Sequence, residues 1–349
     1  MTLKILSIVG ARPQFIKAAA VSRAIAEHPA LDEVMLHTGQ HFDDNMSEVF
    51  FRELGIPAPQ YHLGVHGGAH GDMTGRMLAG IEAVLIDGKP DVVLVYGDTN
   101  STLAAALAAA KLRIPIAHVE AGLRSFNRSM PEEINRVLTD HVSAWLFCPT
   151  GAAVAHLAKE GITGGVRHVG DVMYDASLDA AKRAEREANI LDRLGIAAGG
   201  YALATLHRAE NTDTRSALAQ AVDFLQAARQ QQSVVIPLHP RTRAALDCFG
   251  LSLDGLTVIE PVGYLDMVQL LQGCTQVFTD SGGLQKEAYF HRKPCVTMRD
   301  ETEWTETIAA GWNRLWSVDA FVTPRRKIED YGVGEAAKEI CAILAGGPP

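Results

Sequence analysis

A chain of 349 residues exceeds the usual single domain, and with 47% apolar residues it can build two cores of about 150 to 170 residues each. Its net charge of −9 argues against nucleic acid as a partner, although a few local cations and backbone N–H groups suffice to hold a nucleotide. No apolar run reaches the ~18 residues needed to cross a bilayer, and Met1-Thr2-Leu3-Lys4 carries no signal-peptide pattern, so a soluble cytoplasmic protein is expected.

Residues 3–9 read as a first strand, followed by the tight turn Gly10-Ala11-Arg12-Pro13 with proline placed to start a helix. A phosphate often meets an α/β domain at this turn, but the GxGxxG spacing is absent and a dinucleotide fingerprint is not supported. Arg12 and Lys17 read equally as phosphate-binding cations or as solvated helix-end charges. A second strand over residues 34–37 ends in the loop Thr38-Gly39-Gln40-His41. In the stretch 55–75, His62, His66 and His70 recur at a spacing of four, which invites a metal site on a helix face. Gly64, Gly67, Gly68 and Gly71 argue against that helix, so a mobile loop near the ligand is expected, with no metal, and a helix that begins at Arg76.

Residues 92–95 form a short β-branched apolar run, the signature of a strand buried on both faces, which stops at Tyr96-Gly97-Asp98-Thr99. An alanine-rich helix over 101–112 leads to a second such strand, 116–119, ending in Glu120-Ala121-Gly122. This β-α-β unit delivers Asp98 and Glu120 to the C-terminal edge of a parallel sheet, where open sheets bind ligands. Pro131-Glu132-Glu133 follows as the first turn of another helix. Each acid alone reads as readily as a turn or helix cap; together they point to proton-transfer chemistry. Behind Glu132, the apolar residues Ile134, Val137, Leu138, Val142 and Trp145 predict a buried stripe.

Strands over 146–148 and 166–169 flank a helix over 151–160, and the charged, alanine-rich stretch 175–193 reads as the helical connection between domains. The second half repeats the rhythm of strand, polar turn and helix, which argues for a second doubly wound domain. Its strand 201–206 ends in His207-Arg208, 234–238 ends in His239-Pro240, and 277–279 ends in Asp280-Ser281-Gly282-Gly283. That last turn, opening a helix, offers backbone N–H groups to phosphate oxygens, or is a simple tight turn. Glu287, one turn into the helix, reads either as a solvated glutamate or as an acceptor for a ribose diol, and His207 either as a satisfied core histidine or as a group near a leaving diphosphate. The five cysteines are widely spaced and form no CxxC pair, so reduced thiols are expected.

Seven segments, in order along the whole chain, resemble the non-hydrolysing UDP-N-acetylglucosamine 2-epimerase family: Gly10-Ala-Arg-Pro, Thr38-Gly-Gln-His, Gly97-Asp-Thr, His118-Val-Glu-Ala-Gly-Leu-Arg, Pro131-Glu-Glu-Ile-Asn-Arg, Leu206-His-Arg-Ala-Glu-Asn and Thr279-Asp-Ser-Gly-Gly. The resemblance implies an α/β fold of two Rossmann-like domains of the glycosyltransferase-B type, with the UDP-sugar substrate in the cleft between them, and a homodimer. It implies domains over about 1–172 and 200–333, a connection over 173–199, and a C-terminal helix over about 334–346 that crosses back to the first domain. It places catalytic roles on Asp98, Glu120, Glu132 and His207, diphosphate contacts on Arg12 and Lys17, the phosphate loop on Ser281 and Gly282, and the ribose contact on Glu287. The family's usual Gln-Glu-Glu is Gln285-Lys286-Glu287 here. The family route expels UDP to leave a 2-acetamidoglucal and then adds it back, without NAD or metal.

A narrower resemblance, carried by His66-Gly-Gly-Ala-His-Gly, Met73-Thr-Gly-Arg-Met-Leu and Gly263-Tyr-Leu-Asp-Met, points to the subgroup acting on UDP-2,3-diacetamido-2,3-dideoxyglucuronate. Some relatives bind a second UDP-GlcNAc as an activator, and Gln40, Arg76, Arg208 and His239 fall where that site would be. The second glutamine of the activator's Gln-x-x-Gln pair is Asp43 in this chain. A glycosyltransferase of the same fold, a hydrolysing epimerase and a UDP-sugar sensor are the rival readings.

Overall fold

The computed structural model describes residues 2–40 and 55–347, which form two compact units. The first comprises Met1–Ala176 and Glu329–Pro349, and the second Ser177–Ile328.

In the first unit the order is β1 (Leu3–Val9), α1 (Arg12–Ala26), β2 (Leu31–His37), β3 (Tyr61–His62), α2 (His70–Gly88), β4 (Val92–Tyr96), α3 (Asn100–Lys111), β5 (Ile116–Val119), α4 (Pro131–Val142), β6 (Trp145–Cys148), α5 (Gly151–Lys159) and β7 (Val166–His168). The seven strands are all parallel, in the order β3-β2-β1-β4-β5-β6-β7. Every residue of β4, β5 and β6 is buried, as continuous apolar runs require in a sheet covered on both faces. Leu6, Ile8, Val93 and Val95 meet Met77, Ile81 and Leu85 of α2 and the alanines of α3 in one core. Small alanine side chains let α3 lie close against the sheet.

α6 (Val172–Glu187) contains the division between the units, which falls between Ala176 and Ser177. The second unit continues with α7 (Ile190–Leu194), β8 (Tyr201–Thr205), α8 (Ala209–Thr212), α9 (Arg215–Arg229), β9 (Ser233–Pro237), α10 (Pro240–Phe249), β10 (Thr257–Ile259), α11 (Tyr264–Gly273), β11 (Val277–Thr279), α12 (Gly282–Phe290), β12 (Cys295–Thr297), α13 (Thr305–Ala309) and β13 (Asn313–Leu315). Its six parallel strands run β10-β9-β8-β11-β12-β13, so this is a second Rossmann-like sheet. The chain then returns to the first unit through a 3-10 turn, Glu329–Tyr331, and α14 (Ala336–Ala345), which packs on α1.

Three local expectations change. α2 begins at His70 rather than Arg76 and takes in Gly71 and Gly75, because its inward face of Met77, Ile81 and Leu85 repays the low propensity of the glycines. α4 turns inside out relative to its apolar pattern: Ile134 and Leu138 are exposed, while Glu133, Asn135, Thr139 and Asp140 are buried. Trp145, assigned to the same stripe, belongs to β6. All five cysteines are free thiols, and among the described residues no helix is long and apolar enough to cross a membrane.

Candidate active site

Strand order reverses between β1 and β4 in the first unit and between β8 and β11 in the second, and the crevice outside such a reversal is where open α/β sheets hold ligands. Four of the turns singled out in the sequence lie at these two places, while Glu120 follows the adjacent strand β5. Gly10 follows β1 and Gly97-Asp98 follows β4, while His207-Arg208 follows β8 and Asp280-Ser281-Gly282 follows β11.

In the first unit Gln14 of α1 locks the turn after β1. Its Oε1 accepts the Gly10 and Ala11 N–H groups at 2.8 and 3.0 Å, and its Nε2 donates to the Tyr96 carbonyl at 3.0 Å. Gly10 is required there, since a Cβ would lie 2.1 Å from Thr38 Oγ1 and 2.2 Å from Ser101 Oγ. Arg12 is the first residue of α1. One turn on, Lys17 forms an ion pair with Glu120, both side chains 11% exposed. Lys17, expected at a diphosphate, is thus engaged by one of the candidate acids.

Glu120 has φ +70, a left-handed conformation that side chains rarely adopt. Gly97, at φ +61, leaves room for the pair, because a Cβ there would stand 3.3 Å from both Glu120 Oε2 and Lys17 Nζ. Asp98 pairs with Arg136 of α4, and its backbone carbonyl accepts from Asn135 Nδ2 at 2.9 Å. Desolvation pushes the Asp98 carboxyl above its ordinary pKa against the opposing pull of Arg136 and Lys17, and nearby Glu120 adds to the rise. Asp98 and Glu120 therefore share one electrostatic environment balanced by two cations. Lys17 and Glu120, with Phe147, Gly170 and Asp171, also line a small cavity at the ends of β5, β6 and β7.

Glu132 is exposed at the second position of α4. Its neighbour Glu133 is buried and engaged structurally: it accepts the Ser125 N–H and hydroxyl at 2.9 and 3.0 Å and the Phe126 N–H at 2.9 Å, and it pairs with Arg136 at 3.2 Å. Gln40 accepts from Ser101 N–H at 3.0 Å and Ser101 Oγ at 2.8 Å, which caps the start of α3. Arg76 pairs with Asp72 at 2.9 Å and donates to the His66 and Gly67 carbonyls at 3.2 and 2.7 Å. Both activator-site candidates of this unit thus have internal partners, and Asp43 lies outside the described residues. His70 bonds Asn100 at 3.1 Å, and among the described residues no three His, Cys, Asp or Glu side chains have the arrangement of a metal site.

In the second unit the fully buried Asp280 organises the turn after β8. Its Oδ2 accepts the His207 and Arg208 N–H groups at 2.9 and 2.8 Å, and its Oδ1 faces His207 Nδ1 at 3.4 Å. The His207 ring, 39% exposed at its side chain, lies 5.5 Å from that of His239, which caps α10. Ser281 caps α12, and a Cβ at Gly282 would meet Glu303 Oε1 at 2.4 Å and Arg208 Nη2 at 3.5 Å. The turn therefore brings a bare backbone and a helix N-terminus together with the Arg208 guanidinium and the Glu303 carboxylate. Glu287 is buried on α12, and Lys286 is buried with its ammonium 4.0 Å above the Trp304 ring. Arg136, Glu133, His118, Asp140 and Asp280 were not singled out in the sequence, although all but Asp140 sit inside the motif segments.

A model of the family described as UDP-N-acetylglucosamine 2-epimerase matches residues 23–345. The UDP-2,3-diacetamido-2,3-dideoxy-D-glucuronate 2-epimerase of Pseudomonas aeruginosa is 54% identical, over 98% of this chain and 99% of its own. The UDP-N-acetylglucosamine 2-epimerase of Methanocaldococcus jannaschii is 42% identical over 99% of this chain and all of its own. Among solved structures, that of Methanocaldococcus jannaschii UDP-GlcNAc 2-epimerase in complex with UDP-GlcNAc and UDP superposes with a TM-score of 0.88 at 41% identity, covering 99% and 100% of the two chains. The Neisseria meningitidis enzyme bound to UDP-GlcNAc gives 0.86 at 30% identity over 99% and 100%. With its two reversed parallel sheets and near-complete coverage in each of these matches, the chain belongs to the UDP-N-acetylglucosamine 2-epimerase family of isomerases.

Proposed function

We propose that the protein inverts C2 of a UDP-2-acetamido sugar without net hydrolysis, by expelling UDP from C1 and adding it back. In the forward half the C2 proton passes to an enzyme base as the C1–O bond breaks, leaving a 2-acetamidoglucal and UDP. In the return half a proton reaches C2 from the opposite face as UDP re-forms the C1–O bond. Two faces require two acid/base groups, and Asp98 and Glu120 take these roles, with Glu132 as the third candidate acid. Their negative charge also stabilises the oxocarbenium-like cation that develops at C1. His207, Arg208, Ser281 and Gly282 take the departing diphosphate and Glu287 the ribose.

The observation that carries this reading is that Asp98, at the sheet reversal, and Glu120, on the turn after the adjacent strand β5, interact with each other and each pair with a cation, Arg136 and Lys17 respectively. The two candidate sugars are UDP-GlcNAc and UDP-2,3-diacetamido-2,3-dideoxyglucuronate, the latter the sugar of the 54% identical Pseudomonas aeruginosa enzyme. Incubation in deuterated water with each UDP-sugar separately, followed by NMR, tests both points. Deuterium at C2 together with the epimer identifies the substrate. Free UDP accumulating without deuterated UDP-sugar would mean that the reaction is hydrolysis or transfer instead.

A further inference from the structure

We propose that Asp140 is a positioning residue that holds both acid-bearing turns of the first unit in register. The inference rests on the reading of Asp98 and Glu120 as the proton-transfer groups.

Asp140 lies near the end of α4, 1% exposed, on the polar face that this helix turns inward. One carboxylate oxygen faces His118 Nδ1 at 2.7 Å. The other accepts the Gly122 N–H at 3.1 Å and Arg124 Nη1 at 2.7 Å. These partners stand two residues before, two residues after and four residues after Glu120, so a single side chain grips the turn on both sides of the acid. Such a grip has a physical purpose. A glutamate in the left-handed region is strained, and it persists only where the flanking structure over-determines it.

The same network crosses to the neighbouring turn. His118, fully buried, presents Nε2 to the Gly97 carbonyl at 2.7 Å, one residue before Asp98. The Gly97 N–H in turn donates to the Val119 carbonyl at 3.0 Å. Arg124 anchors the far side through two 2.7 Å bonds to Glu160. Burial works to raise the Asp140 pKa, but the hydrogen bond and charge of His118 and the Arg124 guanidinium outweigh it and hold the carboxyl below its ordinary range. A buried ion pair placed only for stability has no reason to straddle one strained residue and reach the backbone of a second turn.

Asp140→Asn tests this, because it keeps the shape and one acceptor but cannot serve His118, Gly122 and Arg124 together. Turnover of UDP-GlcNAc and of UDP-2,3-diacetamido-2,3-dideoxyglucuronate is assayed beside Asp98→Asn and Glu120→Gln, with UDP affinity measured by calorimetry. The expected result is a kcat lower by about 10²-fold, the scale of a misplacement of roughly 1 Å, with KM and UDP affinity within about threefold of wild type. Wild-type kcat in Asp140→Asn, or a loss of kcat, KM and UDP affinity together, overturns the proposal. If Asp140→Asn does not fold, His118→Asn decides: it keeps a donor for Asp140 but is too short to reach the Gly97 carbonyl. It should show the same selective fall in kcat, and unchanged kcat overturns the proposal. Wild-type turnover in Asp98→Asn and Glu120→Gln, by contrast, marks failure of the underlying functional reading.

Discussion

The proton affinity of a carboxylate that both pairs with a cation and sits in a desolvated crevice is set by which of the two opposing influences wins. At Asp98 burial raises the pKa while Arg136 and Lys17 pull it down, and Glu120 carries its own counter-ion in Lys17. Asp98→Asn and Glu120→Gln each keep the side-chain volume and remove the titrating oxygen. Each should lower kcat by about 10²- to 10⁴-fold, the range of general acid–base catalysis, while UDP still binds. Steady-state kinetics with calorimetric UDP titration checks this; turnover within threefold of wild type in either variant removes that residue from the mechanism. A second residue-scale prediction concerns the glycines of the two ligand turns. Gly10→Ala places a Cβ against the hydrogen-bonded pair Thr38 Oγ1 and Ser101 Oγ, which are 2.8 Å apart, whereas a Cβ at Gly283 meets nothing within 4 Å. Gly10→Ala should therefore destabilise by about 2 kcal/mol and Gly283→Ala by none, read as urea midpoints at constant m. Equal midpoints would show that the first turn has slack the contacts do not reveal.

Among the elements, α4 explains which parts of the site the sequence carries openly and which it conceals. β4 and β5 are legible because a strand buried on both faces must be apolar throughout, so the acid that follows each run stands out. The polar interior of α4 is not legible, since Asn135 and Asp140 are bonded in the interior by partners on distant turns, and those partners are invisible to a helical period. α2 hides its start in the same way, behind glycines that its apolar inner face overrides. The contact between α6 and α14 yields a pH prediction. Asp175 of α6 accepts the Ala337 N–H at the start of α14 at 2.7 Å, and burial, the largest influence, lifts its carboxyl to about 6 despite that bond. Its unfolded value is near 3.9, so below about pH 4 both states are protonated and the folded state loses nothing. Between about pH 4 and 6 the folded state holds the extra proton, and stability falls as pH rises, by an amount on the order of 3 kcal/mol. Asp175→Asn keeps the acceptor and removes the titration. It should flatten that part of the stability profile and unfold at higher urea than wild type at pH 7; an unchanged slope between pH 4 and 6 would place the titration elsewhere.

At the scale of the whole chain, the first unit is discontinuous, built from Met1–Ala176 and completed only by Glu329–Pro349 after the entire second unit has intervened. The returning segment is part of the core: Tyr331, Ile340 and Leu344 are each at most 1% exposed, α14 packs on α1, and Asp330 accepts the Gly151 N–H at 2.9 Å. Burying Ile340 and Leu344 alone contributes about 3–6 kcal/mol, a large share of the 5–15 kcal/mol by which a domain is usually stable. The second unit's sheet is enclosed by its own residues, among them Leu203, Val235 and Val277 on one face and Ala204, Ile236 and Phe278 on the other. Truncation after Ile328 should therefore unfold the first unit selectively. Hydrogen exchange followed by mass spectrometry is expected to show protection lost across β1 to β7 and kept in β8, β9 and β11. Calorimetry should show UDP binding retained at reduced affinity, since the second unit supplies the proposed phosphate loop. It follows that during synthesis the second unit can complete its core first, although it is encoded later than most of the first. Protection of β1 to β7 equal to that in the full chain would mean that α14 is dispensable and that the first unit closes its core without its C-terminal piece.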